Sequence, residues 1–174
     1  MEIKWSKNPL DNSLYEEIIK KDTSEEKVIQ LIKNGANINS VSDSGDSLLQ
    51  ELISNWEADG GRIKFEIIKL LIKLGVNINH TNEGFNCLFN AWLRYNYDLF
   101  ELLLKNGANP NCISTDTNES LLDWIEWDRH FEVDLEGTVD KEWITSMESI
   151  IILLKSYGAK TQKEIMLHNN LYNE

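Results

Sequence analysis

Four segments of the chain repeat one another: LIKNGANIN (31–39), LIKLGVNIN (71–79), LLKNGANPN (103–111) and LLKSYGAK (153–160). Their glycines, Gly35, Gly75, Gly107 and Gly158, are spaced by 40, 32 and 51 residues. An apolar run with helical spacing precedes each of them: Val28–Ile32, Phe65–Leu74, Leu99–Leu104 and Ile150–Leu154. Glycine just past such a run is a helix stop, because a residue without Cβ enters the left-handed region without strain. Recurrence at this period restricts the fold to stacked helical units, none of which can bury its apolar face alone.

A second element follows each stop after a connection of about ten residues, opening at Gly45 (SGDSLLQEL), Gly84 (EGFNCLFNA) and Asn118 (TNESLLDWI). Ser47 and Ser120 stand immediately before paired leucines, where helix N-caps belong. Leu48, Leu49, Leu52 and Ile53 then mark a buried helical stripe rather than a strand. The unit is therefore a turn, a short inner helix, a loop, a longer outer helix and a glycine stop. In this order, and in the endings GANIN, GVNIN and GANPN, the sequence resembles the ankyrin repeat, with Asn in place of that family's usual Asp. The openings depart from the family, whose Thr-Pro is Ser-Leu, Asn-Cys and Ser-Leu here. The resemblance covers residues 12–160 and implies an all-α solenoid of paired antiparallel helices with hairpin-like tips. It implies a single domain with repeats at about 12–40, 41–80, 81–112 and 113–160 and a C-terminal cap at 161–174. Asn12 to Lys20 reads as a degenerate first inner helix. Residues 57–64 lengthen one interhelical loop, and an insertion lies around 128–142.

Charge limits what such a stack can bind. With 17 Lys and Arg against 29 Asp and Glu, the formal net charge is −12. That balance argues against nucleic acid and anionic membranes and suits a basic protein. No apolar run reaches membrane-span length and no secretory signal opens the chain, so it reads as a soluble, cytoplasmic protein. Between Asp116 and Glu142, ten acids face only Arg129 and Lys141, and Trp124, Trp127, Phe131 and Trp143 are interleaved with them or border them. Aromatics anchor interfaces and charges steer encounter, which suits a protein-binding surface better than a merely solvated one.

Motifs for chemistry are lacking. His80, His130 and His168 are scattered and read as solvated surface residues; Cys87 reads as a small core residue and Cys112 as a turn residue without an activating base. No P-loop or dinucleotide fingerprint occurs, and no cofactor, metal or reaction is expected. Glu132, Asp134, Glu136, Gly137 and Asp140 imitate a calcium loop, but Trp143 occupies the position of the closing Glu, so a solvated acidic loop is the expectation.

The resemblance implies a concave face built from hairpin tips and inner helices, used to bind proteins. Its tip residues here are Asp43, Ser44, Asp46, Asn82, Glu83, Phe85, Thr117 and Glu119. Gln50, Glu51, Ser54, Asn90, Asp123 and Glu126 are expected to point outward from the inner helices. Trp127 and Asp128, within the acidic stretch, are expected to face the partner too, and Trp56 and Tyr95, at equivalent positions, are expected to stack along one edge. For Trp56, Trp92 and Trp124, packing between helices is the competing expectation. The functional expectation is a monomeric inhibitor that neutralises a basic toxin or enzyme; small acidic proteins of this type resemble bacterial immunity proteins. The alternative is a general scaffold, adaptor or host-interaction protein.

Overall fold

A computed structural model describes residues 7–55, 61–94, 96–128 and 141–171, with the side chains of 61–63 and 169–171 left aside. Among the described residues there are nine helices and no strand; isolated antiparallel bridges join Val41 to Ser47 and Ile113 to Ser120. None of the helices is long and apolar enough to cross a membrane. The chain forms two compact units, residues 1–82 and 83–174.

The first unit contains α1 (Pro9–Ile19), α2 (Glu25–Lys33), α3 (Leu48–Ser54) and α4 (Gly61–Lys73). Helix α1 packs on α2, α3 on α4, and the two inner helices α1 and α3 meet. Leu14, Ile18, Val28, Leu49, Leu52, Ile67, Ile68 and Leu71 are fully buried between them. Each such side chain contributes roughly 1.5–3 kcal/mol. The second unit contains α5 (Cys87–Trp92), α6 (Tyr97–Lys105), α7 (Leu121–Asp128), α8 (Lys141–Ser156) and α9 (Gln162–Leu171). Helix α5 packs on α6, α7 on α8, and the outer helices α6 and α8 meet. Trp92, Phe100, Leu103, Ile125, Met147 and Leu154 form its core, so the packing expectation holds for Trp92.

The repeated endings close their helices in one way. Gly35, Gly75, Gly107 and Gly158 all have positive φ, between 81° and 107°. The next residue's N–H reaches back to a helix carbonyl in every case: Ala36 to Leu31, Val76 to Leu71, Ala108 to Leu103 and Ala159 to Leu154, each at 3.0 Å. A second bond, from each glycine N–H to the carbonyl three residues back, completes a Schellman closure.

The asparagines that follow link one repeat to the next. Asn37, Asn77 and Asn109 each accept the N–H two residues on, at 3.0 Å. In the first unit the Asn77 N–H donates to Asn39 Oδ1 and the Asn37 N–H to Asp11 Oδ1, both at 2.7 Å. In the second, the Lys160 N–H donates to Asn111 Oδ1 at 2.8 Å. A carboxamide oxygen of the preceding turn thus serves the Asn77 and Lys160 N–H groups, and the Asp11 carboxylate of α1 does the same for Asn37.

Two sequence expectations are corrected here. The first inner helix begins at Pro9 rather than Asn12, capped by Asn8, whose side chain accepts from the Leu10 N–H. Asn-Pro is a helix start because Pro has no N–H to leave unsatisfied at the first position. Residues 61–64 of the lengthened loop belong to α4. Lys64 there is 3% exposed, and its Nζ donates to the Ile18 and Lys20 carbonyls at the end of α1, a cation at the negative helix terminus.

Candidate functional site

Each unit presents hairpin tips and inner helices. In the first unit the tip between Val41 and Ser47 turns at Gly45 (φ 91°). Asn82 Nδ2 donates to the Ser44 carbonyl and to Asp46 Oδ1, both at 3.0 Å. His80 Nε2 lies 2.8 Å from the Gly45 carbonyl oxygen, which can only accept, so that nitrogen carries the proton. His80 is thus a tip brace rather than the solvated histidine expected. Asp43 is exposed, while Asp46 is committed to Asn82. Glu51 is partly buried; burial, reinforced by Asp46, raises its carboxyl above the usual range.

Gln50 does not point outward as expected. It is 2% exposed, and its Oε1 accepts from the Ser47 N–H and hydroxyl, both at 3.0 Å, completing a capping box. Asp123 repeats the arrangement in the second unit. Its Oδ2 accepts from the Ser120 N–H (2.9 Å), the Ser120 hydroxyl (2.7 Å) and the Gln162 N–H that opens α9 (2.7 Å). Asp123 is therefore a structural fastener, a correction to its expected place among the partner-facing acids. Serine followed three residues later by Gln or Asp was the sequence signal for both.

The second unit brings aromatics and acids together. Its first tip turns at Glu83 (φ 50°) and Gly84 (φ 84°) and abuts the second, with the Thr115 N–H donating to the Glu83 carbonyl at 2.9 Å. A Cβ on Gly84 would lie 2.0 Å from the Ile113 carbonyl oxygen, so only glycine permits this approach. Asn118, at φ 57°, takes the glycine's place in the second tip. Behind the tips, Phe85 stacks on Phe89 with centroids 3.9 Å apart, and Trp124 stands nearly perpendicular to both at 6.1 and 5.7 Å. The indole Nε1–H donates to Thr117 Oγ1 at 3.3 Å, which ties α7 to the tip. All three rings are partly exposed. One helical turn beyond Trp124, Trp127 is 56% exposed.

Glu83 and Glu119 are exposed on the tips, and Glu126 is paired with Lys155 at 2.7 Å. Burial pushes the Asp128 carboxyl upward. Charge is sorted by position in the chain. Residues 40–55, 81–93 and 106–128, the tips and inner helices, contain nine acids and not one Lys or Arg. The outer helices carry the lysines, including Lys27, Lys33, Lys69, Lys73, Lys105 and Lys155. Trp56 and Tyr95 lie outside the described residues, as does the calcium-like pattern at 132–140. Trp143 is within α8.

The cysteines are placed as core and turn residues. Cys87 is 1% exposed, and burial raises its thiol far above the ordinary range. Burial also raises Cys112, to about 11. Among the described residues no group of three His, Cys, Asp or Glu side chains could hold a metal ion.

Helix pairs closed by glycine, bridged by asparagine and fronted by hairpin tips define a repeat protein. The chain belongs to the ankyrin-repeat family: the family described as ankyrin repeats in three copies matches residues 18–114. Such repeats form protein–protein interaction modules. A protein of Acanthamoeba polyphaga mimivirus named ankyrin repeat protein L91 is 32% identical over 97 residues, 52% of this chain. The match covers 14% of that protein, so the chain spans well under two thirds of this relative.

Proposed function

We propose that this interaction module binds a basic protein through the tips and inner helices of its second unit. We propose further that the partner is a toxin or enzyme which it neutralises. In this reading the chain acts as a monomer in the cytoplasm and carries out no reaction itself. The observation that carries it is the sorting of charge: the tip and inner-helix stretches hold acids without a single Lys or Arg, beside partly exposed aromatics. Such a surface attracts a cationic partner over a Debye length and holds it through aromatic contacts. A preformed repeat surface also loses little ordering entropy on binding.

The test is capture of the partner by the tagged protein from lysate of its own source, washed first at about 0.05 M and then at about 0.5 M salt, a range over which exposed charges become screened. Recovery of a basic enzyme, released by salt and inactive while bound, is the expected result. A salt-resistant partner without enzymatic activity overturns the inhibitor reading and makes the chain an adaptor or host-interaction scaffold, held by apolar contacts.

A further inference from the structure

We propose that Asn34 and Asn106 are sites of spontaneous deamidation, gated by the helix closures in which they sit. Asn34-Gly35 and Asn106-Gly107 are the two Asn-Gly pairs of the chain, and both lie in the same tetrapeptide, Lys-Asn-Gly-Ala. Such a pair is chemically labile because glycine has no side chain to shield its nitrogen or limit its rotation. The glycine nitrogen attacks the asparagine Cγ, the bond from Cγ to the amide nitrogen breaks, and the proton lost by glycine leaves with that nitrogen as ammonia. Water then opens the cyclic imide at either carbonyl, giving aspartate or isoaspartate. The balance is one carboxamide and one water converted to one carboxylic acid and one ammonia.

The fold ties down both partners of this reaction. The Gly35 N–H donates to the Ile32 carbonyl at 3.0 Å and the Gly107 N–H to the Leu104 carbonyl at 3.1 Å. With ψ at −3° in Asn34 and 17° in Asn106, the glycine nitrogen eclipses the asparagine's own nitrogen and is turned away from Cβ. Asn34 Oδ1 accepts from Gln30 Nε2, and Asn106 Nδ2 donates to the Leu102 carbonyl, both at 2.8 Å. Both asparagines are exposed, so water is at hand for the second step and opening of the closure is the gate. Helix α2 buries Val28, whereas α6 buries Leu99, Phe100, Leu103 and Leu104. A helix with less buried apolar surface opens more often, which makes Asn34 the faster site. The product resists reclosure: its carboxylate sits at the negative end of a helix, and isoaspartate adds a backbone atom inside the span of the closure bonds. Each unit thereby keeps a chemical record of its own openings.

The experiment holds the full wild-type chain at mildly alkaline pH, folded in buffer and unfolded in concentrated guanidinium chloride. Conversion at each site is followed by peptide mass spectrometry, with aspartate and isoaspartate peptides separated by chromatography. In the unfolded chain the two sites should react at similar rates, because their neighbours are identical. In the folded chain both should be slower by about 10–30-fold, as expected where a closure of two hydrogen bonds must open first, and Asn34 should outpace Asn106. No variant has to fold for this comparison. Folded rates equal to the unfolded ones would overturn the gate. A folded chain in which Asn106 reacts as fast as Asn34, or faster, would overturn the link between reaction and local opening. Absence of conversion in the unfolded chain would remove the sites altogether.

Discussion

Glu17 gives the sharpest test of how the first unit is held together. Its carboxylate is 4% exposed and accepts from Lys20 Nζ (2.9 Å), Lys27 Nζ (2.8 Å) and the Ser24 N–H (3.2 Å). Burial alone would raise its pKa. The hydrogen bonds from Lys27, Lys20 and Ser24 outweigh burial and bring it from 4.5 down to about 2. At about 1.36 kcal/mol per pH unit, that drop sets a ceiling near 3 kcal/mol. Because the lysine side chains are 47% and 57% exposed, solvent screening reduces the expected cost of Glu17→Gln to about 1–2 kcal/mol at pH 7. The sign follows from linkage. With the folded-state value the lower one, the carboxylate stabilises the fold fully above pH 4.5, and that contribution is lost as pH falls through 2. Urea unfolding of wild type and Glu17→Gln, followed by circular dichroism between pH 7 and 2, measures the difference directly, since every other titration is common to both. The gap should be constant above pH 5 and close progressively below it. A gap as wide at pH 2 as at pH 7 would show that the side chain acts by packing and not by charge.

Other outcomes follow from single contacts. Gly84→Ala should destabilise the second unit by about 3 kcal/mol or more, since positive φ and a backbone clash combine, whereas Gly107→Ala, with open space around its Cβ, should cost about 1 kcal/mol; thermal unfolding compares the two. Asn39→Ala, which leaves the Asn77 N–H without its acceptor, should cost about 1 kcal/mol by urea unfolding. Lys64→Met should cost about 1–3 kcal/mol because it removes a donor to the Ile18 and Lys20 carbonyls. Thiol labelling in the native state should be slow at pH 8 and rise about tenfold per pH unit towards 11 at Cys112, with Cys87 labelled only on unfolding.

The helices were legible in the sequence because their signals are local. A glycine after an apolar run and a serine before paired leucines each act within one turn, and the structure closes and caps helices at those residues. The start at Pro9 was equally local, written in Asn8-Pro9, where a residue without an N–H leaves no donor unsatisfied. The site was less legible because a carboxylate or carboxamide at a surface period can face either way. Gln50 and Asp123 turn back onto the helix start because a serine three residues earlier offers two donors, and Asp123 gains a third from Gln162. Asp46 and His80 are taken up by a tip whose partner, Asn82, is 36 residues from Asp46. The asparagine bridges had their residues in plain view, yet their role depends on how far successive turns stand apart, which spacing does not state. The aromatic corner joins Phe85 and Phe89 to Trp124, 35 residues further on, and only the packing of α5 and α7 within one unit brings them together.

The central claim is that the acidic tips and inner helices meet a basic partner. It is tested most directly by the association rate of the captured partner with Glu83→Gln/Glu119→Gln/Asp128→Asn, beside an outer-helix control, Glu66→Gln/Glu101→Gln. At about 0.05 M salt the inner-side variant should associate about tenfold more slowly than wild type, and the difference should shrink at about 0.5 M, while the control stays close to wild type. Equal rates for both variants, or a larger loss in the control, would contradict the account.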